Sequence, residues 1–392
     1  MQPRFLIPSA AAALVTLARA AHGLPTALGA DPAAMRAVAD RAAAAGSPHA
    51  ADGLFHNVLP DEEVQRGSLL AVLKAVALRG PVGRPTHPVP LVTDAASGGG
   101  APVRADPLAV TWYGHSSVLL EVDGGRVLAD PVWGERASPS PLIGPRRLHP
   151  VPVPLSALPP VDAVLISHDH YDHLDLPTVR ALARGSDAPF VVPLGIGAHL
   201  RRWGVPAARV VELDWGASTT AGPLTLTCTE ARHFSGRRLE RNTTLWSSWA
   251  VAGPRHRAFF GGDTGYTPAF AGIGAAHGPF DLTVLPVGAF SSLWPLIHMT
   301  PEEAVRAHRD LTGSGTGHEG PDGPGRGAAD RGVLVPVHWA TFNLGFHTWA
   351  EPARRLAAAA AAAGVCIAVP RPGGRVDALA PAPAVDWWTA VE

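Results

Sequence analysis

The sequence contains few cysteines, few charged residues and no long apolar run. Cys228 and Cys366 are the only cysteines in 392 residues, which excludes a disulfide scaffold and is compatible with a reducing compartment. Charged residues make up 17% of the chain, and 32 basic against 33 acidic side chains exclude the basic excess of a general nucleic-acid binder. No run reaches the roughly 18 apolar residues that a membrane-spanning helix needs. We therefore expect a cytoplasmic protein without a nucleic-acid partner.

Apolar residues are nevertheless abundant, at 46%, and provide for a sizeable core. We expect residues 1–105 to form a helical and irregular N-terminal extension with a linker, residues 106–376 to form the main domain, and residues 377–392 to form a C-terminal tail. The stretch 5–18 is mostly apolar, and we prefer a helix packed on the domain to a secretory signal peptide. The Gly-rich residues 313–332 predict a flexible insertion in the main domain.

Short apolar runs bounded by turn residues predict strands after residue 105. They are 109–122, 126–128, 161–167, 190–193, 210–213, 224–229, 245–251, 258–261, 282–287, 333–337 and 365–369. Helices are predicted at 33–45, 68–78, 177–183, 300–311 and 351–363. Strands interrupted by a few helices, in two successive halves, predict an α/β fold with two sheets sandwiched between helices.

The strongest functional signal is the run Ser167-His168-Asp169-His170-Tyr171-Asp172-His173, which directly follows an apolar strand. In a locally extended stretch His168 and His170 project to the same side, and Asp172 and His173 follow as the chain turns. Neutral imidazole and carboxylate are the ligands that zinc and similar divalent metals prefer. Four candidate ligands within six residues, together with distant donors, are too many for one metal. The motif therefore implies two adjacent metals.

Three more candidate ligands follow other predicted strands. His233 comes after the strand 224–229, Asp263 comes after Phe259-Phe260-Gly261-Gly262, and His338 comes after the strand 333–337. A carboxylate has two oxygens and can hold two cations about 3.5–4 Å apart, so Asp263 is the best candidate for a bridge. A chance clustering of this many donors at strand ends is a poor explanation of the pattern.

Longer motifs surround these residues. In chain order they are Trp112-Tyr113-Gly114-His115-Ser116-Ser117, Asp130-Pro131-Val132-Trp133, Ser167 to Leu174, Arg232-His233-Phe234-Ser235-Gly236-Arg237, Arg241-Asn242-Thr243-Thr244-Leu245-Trp246, Phe260-Gly261-Gly262-Asp263-Thr264-Gly265-Tyr266, His298-Met299-Thr300-Pro301-Glu302-Glu303-Ala304 and Val337-His338-Trp339. The chain thereby resembles the metallo-β-lactamase superfamily, and within it the family of N-acyl-phosphatidylethanolamine-hydrolysing phospholipase D and its bacterial relatives. The resemblance covers about residues 106–372.

This resemblance implies a fold, a ligand set and a reaction. The fold would be a four-layer αβ/βα sandwich with an N-terminal helical extension. The implied ligands are His168, His170 and His233 for one zinc ion, Asp172, His173 and His338 for the other, and Asp263 as the bridge. Manganese or iron is the alternative metal left open. The implied reaction is hydrolysis of an N-acyl-phosphatidylethanolamine-like phospholipid to phosphatidic acid and N-acylethanolamine.

The expected mechanism begins with a water between two metals, which loses its proton near neutral pH and attacks phosphorus in line. We expect catalytic roles for Asp263 and Asp172 at the metals and for His298 beside them. His298 lies two residues before Thr300, the predicted cap of a helix whose N-terminus favours negative charge. The resemblance implies that His298 binds the phosphoryl group or protonates the leaving alkoxide; a histidine satisfied by local backbone is the alternative.

Other residues in the motifs carry two interpretations each. His115, in a turn, is either structural or an outer donor that orients a metal ligand. Asp130 either supports the ligands or forms a tight turn with Pro131. We expect three arginines to be solvated, and contacts to phosphate are the alternative. They are Arg232, Arg237 and Arg241. The tryptophans expected in the core are Trp246, Trp249 and Trp294, of which Trp294 is also a candidate wall of the pocket.

Three alternatives to a phospholipase remain open at the level of sequence. The first keeps the metals and changes the substrate to a lactone, a β-lactam or a soluble phosphodiester such as a cyclic nucleotide. The second is a di-iron redox protein, disfavoured because oxygen-reducing relatives usually have Glu where this chain has His170. The third is a non-catalytic metal-binding protein, which the full ligand set disfavours. The expected partner is a phospholipid or other small-molecule substrate, with peripheral membrane contact and a homodimer left open.

Overall fold

The structure, a computed structural model, describes residues 23–59, 74, 75, 78, 80, 82–93, 105–313 and 332–392. The apolar stretch 5–18, most of the predicted helix 68–78 and nearly all of the predicted insertion 313–332 lie outside the described residues. Among the helices of the described parts, none is both long enough and apolar enough to cross a membrane.

Near the start of the described chain lies a segment that we call the N-terminal strap, residues 27–57. It contains helix α1 (Pro32–Ala44) and the paired strands β1 (Ala50–Ala51) and β2 (Leu54–Phe55). Asp31 accepts a hydrogen bond from the Ala33 N–H and so caps the helix that the sequence predicts at 33–45. Phe55 is fully buried in a cluster with Trp246, so the strap is packed onto the main domain.

The first large sheet contains both antiparallel and parallel strands. In chain order they are β3 (Leu108–Gly114), β4 (Ser117–Val122), β5 (Gly125–Ala129), β6 (Ala163–Leu165), β7 (Phe190–Pro193) and β8 (Val210–Leu213). The predicted run 109–122 is divided between β3 and β4 by a turn at His115 and Ser116. Strands β3 to β5 form an antiparallel meander, and β6, β7 and β8 extend it in parallel.

One face of this sheet is covered by helices α2 (Leu176–Gly185) and α3 (Ile196–Arg202). Side chains that alternate along β4 serve both faces, as the pleat requires: Val118 and Leu120 face the second sheet, and Leu119 faces the helices. The helix predicted at 177–183 is confirmed as α2, and α3 is an addition to the prediction.

The second sheet repeats this order of antiparallel and then parallel strands. Its strands are β9 (Ser218–Ala221), β10 (Leu224–Thr229), β11 (Ser248–Ala252), β12 (Arg257–Phe260), β13 (Leu282–Pro286) and β14 (Val333–Val337). Strands β9 to β12 are antiparallel, and β13 and β14 continue in parallel. Its helices are α4 (Ala269–His277), α5 (Pro301–Thr312) and α6 (Glu351–Ala363). Thr300 and Glu303 form the predicted capping box of α5.

The two sheets pack face to face through one buried cluster. Trp112 and Leu120 of the first sheet meet Leu226, Trp249 and Phe260 of the second. Because helices lie on the outer faces, the order of layers is helix, sheet, sheet, helix. This confirms the four-layer αβ/βα sandwich.

The C-terminal part of the chain differs from the prediction. The strand predicted at 365–369 is wrong: the segment makes one bridge, between Leu334 and Ile367, and Pro370 then removes the next backbone donor. The last strand is instead β15 (Arg375–Asp377), which pairs with β3. Residues 377–392, predicted as a tail, place Trp387 and Trp388 in the main core, because burial of two indoles outweighs the cost of ordering the segment.

Candidate metal centre

The candidate ligands meet at one edge of the sandwich because the strands that precede them run in the same direction. In the first sheet, β3 and β5 are each antiparallel to β4, and β6 is parallel to β5. In the second sheet, β10 and β12 are each antiparallel to β11, and β14 follows in parallel. The carboxyl ends of all these strands therefore lie at the same edge of their sheets. This edge carries the motif after β6, and it carries His233, Asp263 and His338.

The first group of donors, which we call group 1, combines the first two histidines of the motif with two distant residues. Its members are His168, His170, His233 and Asp263, whose ligand atoms all lie within 4.8 Å of one another. His170 Nδ1 is 2.8 Å from His168 Nε2 and 3.3 Å from His233 Nε2. Each of these nitrogens carries a lone pair in one of the two neutral tautomers, and in that form the three imidazoles converge as a metal requires.

The second group of donors, group 2, combines the end of the motif with residues after β3 and β14. Its members are His115, Asp172, His173 and His338, again with ligand atoms within 4.8 Å of one another. Asp172 Oδ2 lies 3.3 Å from His338 Nε2 and 3.5 Å from His173 Nε2. The structure thus brings Asp172, His173 and His338 together as a second donor set, and it adds His115 to them.

The Asp263 carboxylate lies between the two groups. Its Oδ2 is 3.8 Å from the Nε2 atoms of both His168 and His233 in group 1. The same oxygen is 3.1 Å from His173 Nε2 and 3.0 Å from His338 Nε2 in group 2. One carboxylate therefore reaches both donor sets, which is the position that a bridging ligand needs.

Divalent cations would satisfy the buried donor atoms better than hydrogen bonds among these residues do. Within the part of the chain that the structure describes, His173 Nε2, His338 Nε2 and Asp263 Oδ1 are buried without a hydrogen-bond partner. Leaving such atoms unpaired costs stability, so buried polar atoms are normally satisfied. Cations held between the imidazoles and the carboxylates would satisfy all three.

The electrostatics of Asp263, His168 and His233 favour the charge states in which these residues bind metals. Burial alone would raise the pKa of the Asp263 carboxyl, but the imidazoles of His173 and His338 hold it well below its usual range. Burial, together with neighbouring histidines, lowers the pKa values of His168 and His233 well below the usual range. Asp263 is therefore an anion, and His168 and His233 are neutral near pH 7, as metal coordination requires. At His173 and His338 the neighbouring carboxylates outweigh burial and raise the pKa, so these imidazoles release a proton when a metal binds.

Asp130 orients two of the candidate ligands, His173 and His168, through hydrogen bonds. Its Oδ2 accepts hydrogen bonds from His173 Nδ1 at 2.6 Å and from the Ser167 hydroxyl at 2.5 Å, and its Oδ1 accepts the Ser167 N–H at 2.7 Å. His173 is thereby fixed with Nε2 turned toward Asp263. The Ser167 oxygen in turn accepts from His168 Nδ1 at 2.9 Å, which leaves His168 Nε2 for a metal. Of the two interpretations of Asp130, the structure favours support of the ligands.

We expect Asp130→Asn to weaken metal binding without preventing folding. Asparagine keeps the size of the side chain, but its one oxygen cannot replace both Oδ1, which accepts the Ser167 N–H, and Oδ2, which accepts from His173. The amide therefore cannot hold Ser167 and His173 together as the carboxylate does. Loss of such an outer carboxylate typically costs about 10- to 100-fold in metal affinity. Chelator competition on the purified variant measures this loss. An affinity equal to that of the parent would remove Asp130 from the support of the centre.

His115 supports the second group in a similar way. Its Nε2 donates to Asp172 Oδ2 at 2.8 Å, and its ring is fully buried. Burial and the neighbouring His338 lower the pKa of His115 to about 3, so the imidazole is neutral and the bond is that of a neutral donor. The His115 backbone N–H donates to Thr341 Oγ1 at 2.6 Å, which fixes the turn that carries it. His115 thus orients Asp172, a predicted metal ligand, which is one of the two interpretations that the sequence allows.

His298 sits above both donor groups. Its ring centroid lies 5.2 Å from that of His233 and 4.9 Å from that of His338, and its Nδ1 is 3.9 Å from Asp263 Oδ2. The side chains of His298 and Asp172 are each 13% exposed, whereas Asp263, His173 and His338 are at most 2% exposed. Solvent therefore reaches the centre past His298 and Asp172.

Strained backbone is concentrated at this centre. His115, Asp130 and His338 have positive φ angles of 52°, 42° and 62°, a conformation that side-chain-bearing residues rarely adopt. Gly262 has a φ of 57°, and a Cβ there would come 2.5 Å from the Ser167 side chain. The glycine before Asp263 thus permits the close approach of β12 to the motif.

The burial of the arginines and tryptophans singled out in the sequence agrees with the prediction for some residues and not for others. The prediction that the arginines are solvated is wrong for Arg232 and Arg237, because both side chains are buried. Arg241 is exposed, and its guanidinium lies over the Phe234 ring. Arg237 is held because its guanidinium finds backbone carbonyls as acceptors inside the fold. Trp246 and Trp249 are buried as predicted, and Trp294 is half-buried with its ring 5.2 Å from that of Phe346.

Two residues that hold members of the centre in place carry no metal-binding signal in the sequence. Asn57 bonds to the backbone of His233, and Thr341 bonds to the backbone of His115. Neither residue lies in a motif with metal chemistry, and each is more than 170 residues from its partner in sequence. An isolated asparagine or threonine gives no local signal of such a role.

Known proteins are similar to this chain over most of its length. A family described as the beta-lactamase superfamily domain matches residues 125–317. An uncharacterized protein of Mycobacterium tuberculosis is 54% identical over 374 residues, which cover 95% of this chain and 94% of that protein. The N-acyl-phosphatidylethanolamine-hydrolyzing phospholipase D 1 of Caenorhabditis elegans is 35% identical over 250 residues, 61% of this chain and 65% of that protein.

A solved structure shares the fold. The isothiocyanate hydrolase from Delia radicum gut bacteria superposes with a TM-score of 0.51 and 19% sequence identity, over 69% of this chain and 98% of that one. At this identity the likeness concerns the fold, and the chemistry follows from the donor groups described above.

Proposed function

The chain belongs to the metallo-β-lactamase superfamily and is a metal-dependent hydrolase, and we propose that it is a phosphodiesterase of the phospholipase D type. Its substrate class in this proposal is the N-acyl-phosphatidylethanolamine-like phospholipids, cleaved to phosphatidic acid and N-acylethanolamine. The observation that carries the proposal is the single carboxylate oxygen of Asp263 within 3.8 Å of histidines from both donor groups.

Two zinc ions per chain are the metals that we propose. Group 1, with His168, His170 and His233, would hold one ion, and the other would be held by Asp172, His173 and His338. Asp263 would bridge them. When bound, two such cations supply a deprotonated water near neutral pH and stabilise charge on phosphoryl oxygens. Histidine and carboxylate donors in nearly dry surroundings are typical of zinc, and iron or manganese would accept the same set.

His298 is the residue of this chain that we place against the phosphoryl group. Burial lowers the pKa of His298 to about 3, so the imidazole is neutral near pH 7. A neutral imidazole is a poor acid but a good hydrogen-bond donor, which favours phosphoryl binding over protonation of the leaving alkoxide. A donor positioned where charge develops in the transition state contributes more than one that binds only the ground state.

The phospholipid substrate is supported by likeness to a named enzyme. The C. elegans relative carries the name of an N-acyl-phosphatidylethanolamine-hydrolyzing phospholipase D, and the matched region is 61% of this chain. The donor groups and His298 provide what phosphodiester hydrolysis needs: anionic and neutral ligands for cations, and a donor for the phosphoryl oxygens.

The proposal is tested by hydrolysis of N-acyl-phosphatidylethanolamine in mixed micelles, with the products identified by mass spectrometry. We expect phosphatidic acid and N-acylethanolamine, and in ¹⁸O-labelled water we expect the label in phosphatidic acid, because attack occurs at phosphorus. Absence of turnover by a zinc-loaded enzyme would contradict the phospholipid substrate. The metal-dependent chemistry would stand, and soluble phosphodiesters and lactones would be the next substrates to test.

A further inference from the structure

A side chain of the N-terminal strap holds the backbone of a predicted metal ligand. Asn57 Nδ2 donates to the His233 carbonyl at 2.9 Å, and Asn57 Oδ1 accepts the His233 N–H at 3.2 Å. This two-point contact fixes both peptide groups of His233 as a neighbouring strand would. The His233 ring is fixed separately, because its Nδ1 donates to the Ile297 carbonyl at 3.0 Å and leaves Nε2 for a metal.

The same strap reaches the motif loop through Arg237. The Arg237 guanidinium donates to the carbonyls of Asp169 at 2.7 Å and Leu174 at 2.9 Å, so it joins the two ends of the loop that carries four ligands. It also donates to the Ala27 carbonyl of the strap at 2.9 Å. The guanidinium lies 4.0 Å from the Tyr171 ring centroid, in the middle of the loop. One buried cation thus links the strap, the motif loop and the loop that follows His233.

A third contact involves His199 on helix α3. The Ala30 N–H of the strap donates to His199 Nδ1 at 2.8 Å, and His199 Nε2 lies 3.5 Å from Asp169 Oδ2. Asp169 Oδ1 in turn accepts the Gly236 N–H at 2.7 Å, three residues after His233. Asp169 lies between His168 and His170 in the sequence, so this contact also connects the strap to group 1.

The contacts of the strap described above all lead to group 1. Group 2 is oriented from the first sheet, through the bond of Asp130 to His173 and the bond of His115 to Asp172. Group 1 is contacted by the strap directly at His233, and His199 and Arg237 connect the strap to Asp169. A change in the strap should accordingly affect one metal more than the other.

We propose that the N-terminal strap is part of the metal centre and that Asn57 is a positioning residue, which sets metal affinity at group 1 through His233. This inference rests on the proposed two-metal site and is independent of the substrate. A backbone carbonyl and N–H held by one amide keep the His233 imidazole within the narrow range of positions that metal binding tolerates.

The test is zinc affinity, measured on the full chain by competition with a chelator and without substrate. We expect Asn57→Ala to weaken one zinc site by about 10-fold or more and to leave the other unchanged, in keeping with the usual effect of residues that orient ligands. The variant should fold, because Trp246 Nε1, which also donates to Asn57 at 3.2 Å, keeps its bond to the Ala231 carbonyl at 3.0 Å. Asn57→Asp, which retains the acceptor but repels the His233 carbonyl, should give the same loss.

A matched control and a double-mutant cycle separate positioning from general destabilisation. Asn343→Ala removes a comparable amide bond, to the Val82 carbonyl at 2.8 Å, and should leave both zinc affinities unchanged. In a His233→Ala background, Asn57→Ala should cause no further loss, because its effect passes through His233.

Three results would overturn the inference: zinc affinities of Asn57→Ala equal to those of the parent, an equal loss at both sites, or an undiminished loss in the His233→Ala background. Because only zinc is measured, an enzyme inactive on phospholipid would leave this test unaffected. The failure of the proposed substrate and the failure of the positioning role are therefore distinguishable.

Discussion

Asp263→Asn is expected to abolish hydrolysis and to reduce the amount of bound metal. The substitution preserves the shape of the side chain but removes its negative charge, and the amide offers one oxygen where two donor groups converge on a carboxylate. Without the bridge, two cations at close distance would repel each other with no anion between them. We expect a loss of turnover of more than about 1,000-fold, which corresponds to about 4 kcal/mol of transition-state stabilisation.

Metal analysis and turnover of the purified variant check this expectation. Asp281→Asn is the matched control, because Asp281 precedes β13 and so lies at the opposite edge of the second sheet, where it accepts the Arg257 N–H at 2.9 Å. The control should keep both metals and full activity. An Asp263→Asn variant that is active and fully loaded would refute the bridging role.

His298→Ala should separate catalysis from metal binding. The His298 ring lies over one ligand of each group, yet neither donor set depends on it. We expect both metals to remain and turnover to fall by about 100- to 1,000-fold, the usual cost of removing one donor to the charge that develops in the transition state. The measurement is kcat together with metal content.

His277→Ala, at the end of helix α4, is the control for a histidine outside the centre. Two outcomes for His298→Ala would change the account in different ways. Full activity would remove His298 from the mechanism. Loss of a metal would make His298 a ligand, an arrangement that its position close to Asp263 and His338 would allow.

The positions of the ligands are predictable from sequence because strands fix them. His233, Asp263 and His338 each follow a short apolar strand, and strands that run in the same direction end at the same edge of a sheet. The spacing of His168 and His170 is likewise a local property of an extended chain. The sequence alone therefore predicts that these residues form one centre.

The roles of the residues that orient the ligands could not be decided from the sequence in the same way. The bond between Asp130 and His173 joins residues 43 positions apart, and the contact of Asn57 with His233 spans 176 positions. Such pairings depend on how the elements pack, which one sequence does not reveal. The prediction that Arg237 is solvated is wrong for the same reason, because only folding brings the carbonyls of Asp169 and Leu174 next to its guanidinium.

Missed elements have weak local signals. Strand β9 (Ser218–Ala221) is largely exposed and contains two threonines and a serine, so it lacks an apolar run. Helix α4 contains Gly272 and Gly274, which lower helix propensity, and Gly274 is kept because a Cβ there would come 2.5 Å from the Asp310 carbonyl of α5. Packing against α5 overrides the propensity.

The measurement that tests the central claim most directly is a zinc titration of the metal-free protein, with hydrolysis of N-acyl-phosphatidylethanolamine followed at each step. We predict that phosphatidic acid formation requires the second equivalent of zinc, because Asp263 joins two donor groups into one reaction centre. Full activity at one equivalent, or activity without metal, would contradict a dinuclear hydrolase.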